Sequence, residues 1–381
     1  MGHKVAIIKV ASHSNCQTTA NKIRRSVELL GGIEKIVEKG DWVIIKPNLE
    51  AAREARTAAT TSMVFIQTAV EMTKESGAFP IVAEGPFMNY SDEVVFQVTG
   101  VRQLCERLGV QFVNLNSTDT VDVEVPGGKA HKKLRLPSVV SEADKLINLP
   151  KLKTHHLTTI TCAMKNLKGV LPGQDKQLSH VLGIHQAIVD INKIVRSDLV
   201  IVDGLLAMDG MGPTFGRVVD LGVVVAGTNA VAVDSICARI MGIDPLHIRH
   251  LKLAYRDFSF DPNAIEVVGA SIEEVQRSFK IPRERAGYHI ALRSAHLLDR
   301  YIYRNLSGGR TIFPRLSGLF GLHPRIDAGL CASCDLCEKS CPVDAIDLTK
   351  KTINTVKCID CLICFELCPN RAVVIRGISA D

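Results

Sequence analysis

The stretch that decides the fold of the C-terminal end is 331-CASCDLCEKSCP-342. The same arrangement returns in 358-CIDCLICFELCP-369, with four cysteines spaced C-x2-C-x2-C-x3-C and a proline directly after the last. Eight of the 12 cysteines in the chain lie in these two runs. Cysteines clustered in this way are more typical of metal ligands than of disulfides in a reducing compartment.

The spacing is that of ligands to iron–sulfur clusters. Three cysteines at x2 steps surround one cubane cluster, and the fourth points away and ligates the other cluster. We therefore assign one [4Fe–4S] cluster to Cys331, Cys334, Cys337 and Cys368. The second [4Fe–4S] cluster is assigned to Cys358, Cys361, Cys364 and Cys341. Structural zinc takes four ligands in two pairs, which this triple does not supply. A three-iron cluster would lack a ligand, whereas all eight are present.

Residues 326–377 resemble bacterial-type ferredoxins in this repeated motif. An apolar pair follows each run at the same offset, Ala345-Ile346 and Ala372-Val373, which suits two pseudo-symmetric halves. The resemblance implies a small α+β ferredoxin-like domain that transfers electrons one at a time.

The first 280 residues alternate between strand-like and helix-like segments. Strands are predicted at 5–10, 42–45, 80–83, 110–113, 145–149, 199–202 and 221–226. Helices are predicted at 61–76, 93–108, 184–195, 230–241 and 246–255. Such alternation indicates an α/β fold with a mostly parallel sheet and helices on both faces. Neither a Gly-x-Gly-x-x-Gly after the first strand nor a Walker motif occurs, so two nucleotide-binding classes lose support.

We expect three segments: an α/β domain at 1–280, a basic helical linker at 281–322 and a two-cluster domain at 323–381. The linker is rich in arginine and contains a helix predicted over 288–303. This helix either packs its apolar side on the α/β domain or lies on a membrane surface with its arginines near lipid phosphates.

Several motifs of the α/β part resemble those of the domain of unknown function 362 family. They are Lys46-Pro-Asn48, Thr60-Thr61, Glu84-Gly85, 149-LPKLKTH-155, 164-MKNLKG-169, Asp203-Gly204, 210-GMGP-213 and 229-NAVAVD-234. The resemblance covers about residues 4–250, and members often end in the same two-cluster module. It implies an iron–sulfur protein and supplies no reaction.

Most of these polar residues follow predicted strands, and ligands bind at the carboxyl ends of strands in open α/β sheets. We expect catalytic roles for Lys151, Lys153, His155, Lys165 and Asp203. We expect an unknown ligand to contact Lys46, Asn48, Glu84, Asn166, Gly204 and Gly212. The lysines would form a cationic rim for a carboxylate or phosphate. Two alternatives remain for these residues. Lys151 and Lys153 could be solvated at the ends of an ordinary loop, and Lys165-Asn166 could simply cap a helix. Among the lone cysteines, only Cys162 is close enough to these motifs to be tested as a nucleophile.

Composition excludes some partners. The net charge of +6 is modest, aromatic residues make up 5%, and no basic block is paired with spaced aromatics, so nucleic-acid binding is not expected. The N-terminus lacks a signal-peptide pattern, and the most apolar stretch, 221–243, is interrupted by Asp234. We therefore expect no transmembrane segment and a cytoplasmic location.

Three functions fit the sequence. The first is electron transfer from the clusters to or through the α/β domain, with a redox partner protein. The second is a ferredoxin-linked reductase whose anionic small-molecule substrate binds at the strand-end rim. The third is a non-catalytic assembly or sensory iron–sulfur protein.

Overall fold

The structure, a computed structural model, describes residues 3–12, 14–87, 91–281 and 323–375. The chain divides into two compact units, residues 1–280 and 281–381, called here the large unit and the small unit. Residues 282–322, including the helix predicted over 288–303, lie outside the described residues. Among the helices of the described ranges, none combines the length and apolar character needed to span a membrane.

The large unit is built on a ten-stranded sheet with a separate two-stranded sheet. Its described strands are β1 (His3–Lys9), β2 (Trp42–Pro47), β3 (Phe79–Glu84), β4 (Gln111–Asn114), β5 (Thr120–Glu124), β6 (Lys133–Pro137), β7 (Lys145–Leu149), β8 (Lys151–His155), β9 (Thr159–Thr161), β10 (Leu199–Asp209), β11 (Arg217–Gly227) and β12 (Ile265–Gly269). The main sheet has the order β12-β1-β11-β10-β7-β2-β3-β4, with β8 beside β10 and β9 beside β8. Strands β5 and β6 pair with each other.

The α-helices described in the large unit are α1 (Cys16–Glu28), α2 (Met63–Glu75), α3 (Asp92–Thr99), α4 (Val101–Leu108), α5 (Ser138–Ser141), α6 (Ala163–Asn166), α7 (Asp175–Val181), α8 (Ile184–Ile194), α9 (Ala230–Ile240), α10 (Arg249–Asp257) and α11 (Ile272–Val275). Short 3-10 helices lie at Ile33–Lys35, Ala55–Thr57, Leu167–Val170, Pro245–His247 and Pro262–Ala264. The helix predicted over 93–108 is interrupted at Gly100, whose φ of 76° is left-handed and ends α3.

The prediction of an α/β fold with a mostly parallel sheet is confirmed. Strands β7, β2, β3 and β4 are parallel neighbours, and β10 and β12 also pair in parallel with β7 and β1. The exceptions are β9, which is antiparallel to β8, and β11, which is antiparallel to both β10 and β1. Only residues 210–216 separate β10 from β11, and this connection is too short for the crossover that parallel neighbours require.

Helices cover both faces of the sheet. Val43 and Ile45 of β2 belong to one buried cluster, which includes Phe65 of α2. Ile44, between them, belongs to a second cluster with Ile191 of α8. Because successive side chains of a strand point to opposite faces, β2 is buried on both sides, as parallel strands usually are.

The small unit contains short elements around its cysteines. Strand β13 (Arg325–Ile326) pairs with β16 (Val373–Val374), and β14 (Ile346–Asp347) pairs with β15 (Thr352–Ile353). Each cysteine run has one short helix that contains its third cysteine, α12 (Leu336–Lys339) in the first run and α13 (Ile363–Leu367) in the second. The predicted small α+β character is confirmed in this unit.

Candidate functional site

One group of four cysteines draws members from both runs of the small unit. Burial, together with the nearby thiols of Cys368, Cys334 and Cys331, raises the pKa of the Cys337 thiol to about 11. These are the four residues assigned from spacing to the first cluster. Cys368 belongs to the second run but lies beside the first three cysteines of the first run. This is the exchange of the fourth ligand between the two runs that the motif predicts.

The other four cysteines line one small cavity. Cys341, Cys358, Cys361 and Cys364 line it together with apolar side chains such as Ile346. Burial raises the pKa of Cys364 well above the ordinary thiol value, and Cys361 and Cys358 add to the effect. Four sulfur ligands around a mostly apolar space fit an iron–sulfur cluster, whose thiolates would be stabilised by the iron.

The two cysteine runs have the same backbone conformation at matching positions. Non-glycine residues with positive φ occur in three pairs at equal offsets: Ser333 and Asp360, Asp335 and Leu362, and Asp344 and Arg371. The fourth cysteine of each run also accepts an N–H bond, from Ala345 to Cys341 Sγ at 3.2 Å and from Ala372 to Cys368 Sγ at 3.1 Å. Such bonds to sulfur are among the features that set cluster potentials.

His323 is a buried contact of the second run that the sequence did not single out. Its Nδ1 lies 2.7 Å from Asp360 Oδ1, and the same oxygen lies 3.5 Å from Cys358 Sγ. The residue is 3% exposed. His323 therefore ties the segment before the first run to the ligand loop of the second.

In the large unit, five of the predicted site residues line one cavity, which we call the lysine pocket. Its charged lining residues are Lys46, Lys165, Lys168, Lys176, Glu50 and Glu84. The predicted ligand contacts Asn48 and Asn166 also line it. The carboxyl ends of β2 and β3 and the short helix α6 supply most of these side chains.

Lys46 and Glu84 form a buried ion pair at the pocket. Lys46 Nζ donates to Glu84 Oε2 at 2.8 Å and to the Pro47 carbonyl at 3.0 Å. Burial raises the pKa of Glu84, although Lys46 opposes the shift. Gly85 N also donates to Glu84 at 2.9 Å. The pair joins the ends of neighbouring strands β2 and β3.

Lys153 is held by three acceptors beside the pocket. Its Nζ donates to Asn48 Oδ1 at 3.0 Å, Glu50 Oε1 at 2.6 Å and the Ala59 carbonyl at 2.8 Å. Burial lowers the pKa of Lys153, and Glu50 limits the shift. Asn48 in turn donates to Asn166 Oδ1 at 2.8 Å. Lys153 thus orders the amide groups of the lining.

Lys165 is the sequence-predicted residue with the most open environment. Its side chain is 9% exposed and lines the pocket, yet within the described residues its ammonium forms no hydrogen bond or ion pair. Thr161, also in the lining, has a buried Oγ1 without a hydrogen-bond partner in the same ranges. Two donors therefore face this cavity without protein acceptors.

Sequence reasoning missed Lys176 and Glu50. Helix α7 carries Lys176 and buries Lys176, Gln177, Ser179 and His180, while Leu178 and Val181 are each 44% exposed. The usual rule, with apolar residues inside, would have placed Lys176 in solvent. Its partners inside are Asn116 Oδ1 and the Pro86 carbonyl. Glu50 could have been found as the acid two residues after Asn48, at the end of β2.

Lys151 and Asp203 lie outside the pocket lining and form a fully buried pair. Lys151 Nζ donates to Asp203 Oδ2 at 2.8 Å, and the same oxygen accepts from Ser62 N and Oγ at 2.8 and 2.7 Å. Ser62 is the N-cap of α2. The pair therefore connects β8 and β10 to the start of a helix.

Gly204 and Gly212, predicted as ligand contacts, lie against strands β11 and β8. A Cβ on Gly204 would lie 3.0 Å from the Val223 carbonyl oxygen, and one on Gly212 would lie 2.0 Å from the Thr154 carbonyl oxygen. Both glycines have room only for hydrogen, so they permit close packing of β10 with β11 and of the following loop with β8.

Cys162 is completely buried beside Asp234. Burial raises its pKa well above the ordinary thiol value, and Cys237 and Asp234 contribute. Asp234 accepts from Ala163 N at 2.7 Å and Met164 N at 3.1 Å, which caps the start of α6. A nucleophilic cysteine needs a lowered pKa and some exposure, so this environment does not favour the role proposed for Cys162.

His155 is buried and neutral. Its Nδ1 accepts from Leu157 N at 3.1 Å, and burial, aided by Lys165, lowers its pKa well below 6.5. His180 is also neutral for the same reasons, and its Nε2 lies 2.8 Å from Lys168 Nζ. These rings act as acceptors beside the lysines rather than as additional cations.

Replacing His250 by leucine is expected to stabilise the large unit in acid. His250 is fully buried, neither ring nitrogen has a partner within the described residues, and burial lowers its pKa to about 3. Between pH 3 and pH 6.5, His250 is protonated in the unfolded chain but neutral in the folded chain. The free energy of unfolding therefore falls as the pH falls. The penalty at pH 5 is about 2 kcal/mol.

The stability gain from His250→Leu should therefore be about 2 kcal/mol larger at pH 5 than at pH 8. Urea unfolding of the full chain, followed by fluorescence of its single tryptophan, Trp42 in β2, measures this. His247, whose side chain is 82% exposed, provides the matched control, and His247→Leu should show no such difference. Equal behaviour of the two variants would contradict the prediction.

Comparison with known proteins agrees with the two units. The model of a domain of unknown function, DUF362, matches residues 43–239, and a 4Fe-4S dicluster domain matches residues 323–369. A thylakoid-associated protein of Synechocystis is 28% identical over 279 residues, covering 70% of this chain and 83% of the relative. The lactate racemase apoprotein from Thermoanaerobacterium thermosaccharolyticum aligns with a TM-score of 0.42 and 15% identity. That alignment covers 63% of this chain and 57% of the racemase chain.

The DUF362 match spans the strands and loops that build the lysine pocket, and the dicluster match spans all eight clustered cysteines. The first match alone covers more than half of the chain. The chain therefore belongs to the domain of unknown function 362 family and is an iron–sulfur protein with a ferredoxin-type dicluster domain at its C-terminal end.

Proposed function

We propose that the chain is an electron-transfer protein that holds two [4Fe–4S] clusters in its small unit. The observation that carries this proposal is the division of eight cysteines into two groups of four, each with one member from the other run. When bound, each cluster carries one electron. A redox partner protein would supply the electrons, and the large unit would receive or relay them.

Anaerobic purification of the full chain tests this function. We expect about eight iron and eight sulfide per chain, and reduction by dithionite should give the electron paramagnetic resonance signal of two interacting clusters. About four iron per chain, or clusters that cannot be reduced and reoxidised while the fold is retained, would argue against it. The second of these outcomes is the one expected of an assembly or sensory protein.

A second candidate function is reduction of an anionic small molecule in the lysine pocket. It is favoured by the pocket's four lysines against two glutamates. Two electrons, one from each cluster, and two protons from solvent would be added to the substrate, and an external low-potential electron-transfer protein would reduce the clusters again. In this reading Lys165 holds the anionic group, while Lys153, outside the lining, orients Asn48 and Glu50 of the pocket.

The reductase is tested by comparing small molecules that co-purify anaerobically with the parent chain and with Lys165→Met. An anion found only with the parent chain, and able to reoxidise dithionite-reduced clusters, would support it. Equal recovery from both proteins, or an anion that leaves the clusters reduced, would argue against it.

A cytoplasmic location stays a proposal. The alternative in which the linker helix lies on a membrane surface also stays a proposal. The Synechocystis relative is described as thylakoid-associated.

A further inference from the structure

The lysine pocket has more positive charge than its own glutamates compensate. Glu84 pairs with Lys46, and Glu50 pairs with Lys153, which lies outside the lining. Lys165 and Lys176 are two further lysines of the lining. Within the described residues, neither Lys165 nor Lys176 has a carboxylate at ion-pair distance. Buried cations without counter-ions are unfavourable, so the pocket is suited to an anion.

The open donors of the pocket point to a ligand rich in oxygen. Lys165 Nζ and Thr161 Oγ1 line the cavity without hydrogen-bond partners within the described ranges, and Thr161 is 1% exposed. Among the residues that the structure describes, the acceptors of Lys176 are both neutral, Asn116 Oδ1 and the Pro86 carbonyl. Burial lowers the pKa of Lys176 to about 7, although the carboxylates of Glu84 and Asp92 oppose the shift.

Two glycines shape the wall so that the lysines approach closely. A Cβ on Gly169 would lie 2.7 Å from Lys46 Nζ and 2.8 Å from Glu84 Oε1. A Cβ on Gly85 would lie 2.7 Å from Lys176 Nζ. Both glycines belong to motifs, Glu84-Gly85 and Lys168-Gly169, for which the sequence alone gave no geometric reason. The absence of side chains at these two glycines therefore allows the charged groups of the pocket to lie close together.

We propose that the lysine pocket binds a small oxyanion with two negative charges, either a phosphoryl group or a short dicarboxylate. Lys165 and Lys176 would contact its oxygens, with Thr161 as a neutral donor. The cavity volume of about 50 Å³ limits the bound group to a compact one. The inference rests on the second candidate function proposed above, because it names the substrate class of the same pocket.

Binding is measured on the full chain, purified anaerobically with oxidised clusters and no electron donor. Inorganic phosphate, succinate and acetate are each titrated by calorimetry at pH 7, where about half of the Lys176 side chains are charged before the anion binds. We expect phosphate or succinate to bind, and acetate to bind at least about tenfold more weakly because it carries one charge. Binding of phosphate alone identifies a phosphoryl site, and binding of succinate alone identifies a dicarboxylate site. No binding, or equal binding of acetate, overturns the proposal.

Variants locate the site. Lys165→Met should weaken binding of the dianion by about tenfold or more, since one charge-assisted hydrogen bond is lost. Lys165→Arg, which keeps the charge, should bind more tightly than Lys165→Met. Lys22→Met, an exposed lysine on α1, is the matched control and should bind as the parent does. If Lys165→Met does not fold, Thr161→Val replaces it and should weaken binding several-fold. Unchanged binding in the folded variants overturns the assignment.

Failure here and failure of the proposed electron transfer are separate results. Absence of dianion binding leaves iron content and cluster reduction unchanged, since no electron is moved in the titration. A chain that binds a dianion but lacks reducible clusters would contradict electron transfer and still support the oxyanion site. Each experiment therefore has a result that the other does not decide.

Discussion

Replacing Cys341 and Cys358 together by alanine is expected to leave about four iron atoms per chain. Both residues belong to the group around the cavity of the second run, so the two changes damage the same cluster. The first cluster keeps Cys331, Cys334, Cys337 and Cys368. Replacing Cys341 and Cys331 together should instead remove nearly all iron, because one ligand is lost from each group. Iron and sulfide analysis of anaerobically purified protein gives the count.

The two double variants form a matched pair, since each removes two of the eight cysteines. If the ligands were not crossed, the outcomes would be exchanged, and Cys341→Ala with Cys331→Ala would keep about four iron atoms. Cys16, an exposed lone cysteine of the large unit, serves as the control, and Cys16→Ala should retain the parent's iron. Equal iron loss in both double variants would show that the clusters cannot form separately.

The cysteine runs were predictable because ligand spacing along the chain is itself the geometric requirement. A cubane corner fixes how many residues separate successive ligands, so the motif carries its own structure. The same holds for strand β2, where Val43, Ile44 and Ile45 are all apolar, as a strand buried on both faces requires. In both cases, local sequence determines the contacts.

The lysine pocket was predictable only in part, because its members share no spacing. Lys46, Glu84 and Lys165 were found because they follow strands or a conspicuous motif. Lys176 was missed because α7 is turned with polar side chains inward and Leu178 outward, against the hydropathy pattern. Which face of a helix turns inward depends on the cavity it covers, and that cavity forms only when distant segments come together.

Replacing Lys151 by methionine is expected to lower the free energy of unfolding of the large unit by about 3–5 kcal/mol. Both members of the Lys151–Asp203 pair are fully buried, with 2.8 Å between Nζ and Oδ2. Methionine keeps the length and packing of the side chain but leaves the Asp203 carboxylate without its counter-ion in a dry environment. Urea unfolding of the full chain at pH 8, followed by Trp42 fluorescence, measures the change.

Adding Asp203→Asn to this variant should recover part of the lost stability. Asparagine removes the unpaired charge and still accepts from Ser62 N through its amide oxygen, so the N-cap region of α2 keeps a hydrogen bond. Arg25→Met is the control on an exposed pair, with 58% and 57% of the Arg25 and Glu28 side chains exposed, and should change stability by less than about 1 kcal/mol. If Lys151→Met unfolds at the same urea concentration as this control, the pair is not an anchor of the fold. If it unfolds earlier, loss of activity in a Lys151 variant cannot be assigned to chemistry, and Lys165 becomes the lysine through which the pocket should be tested.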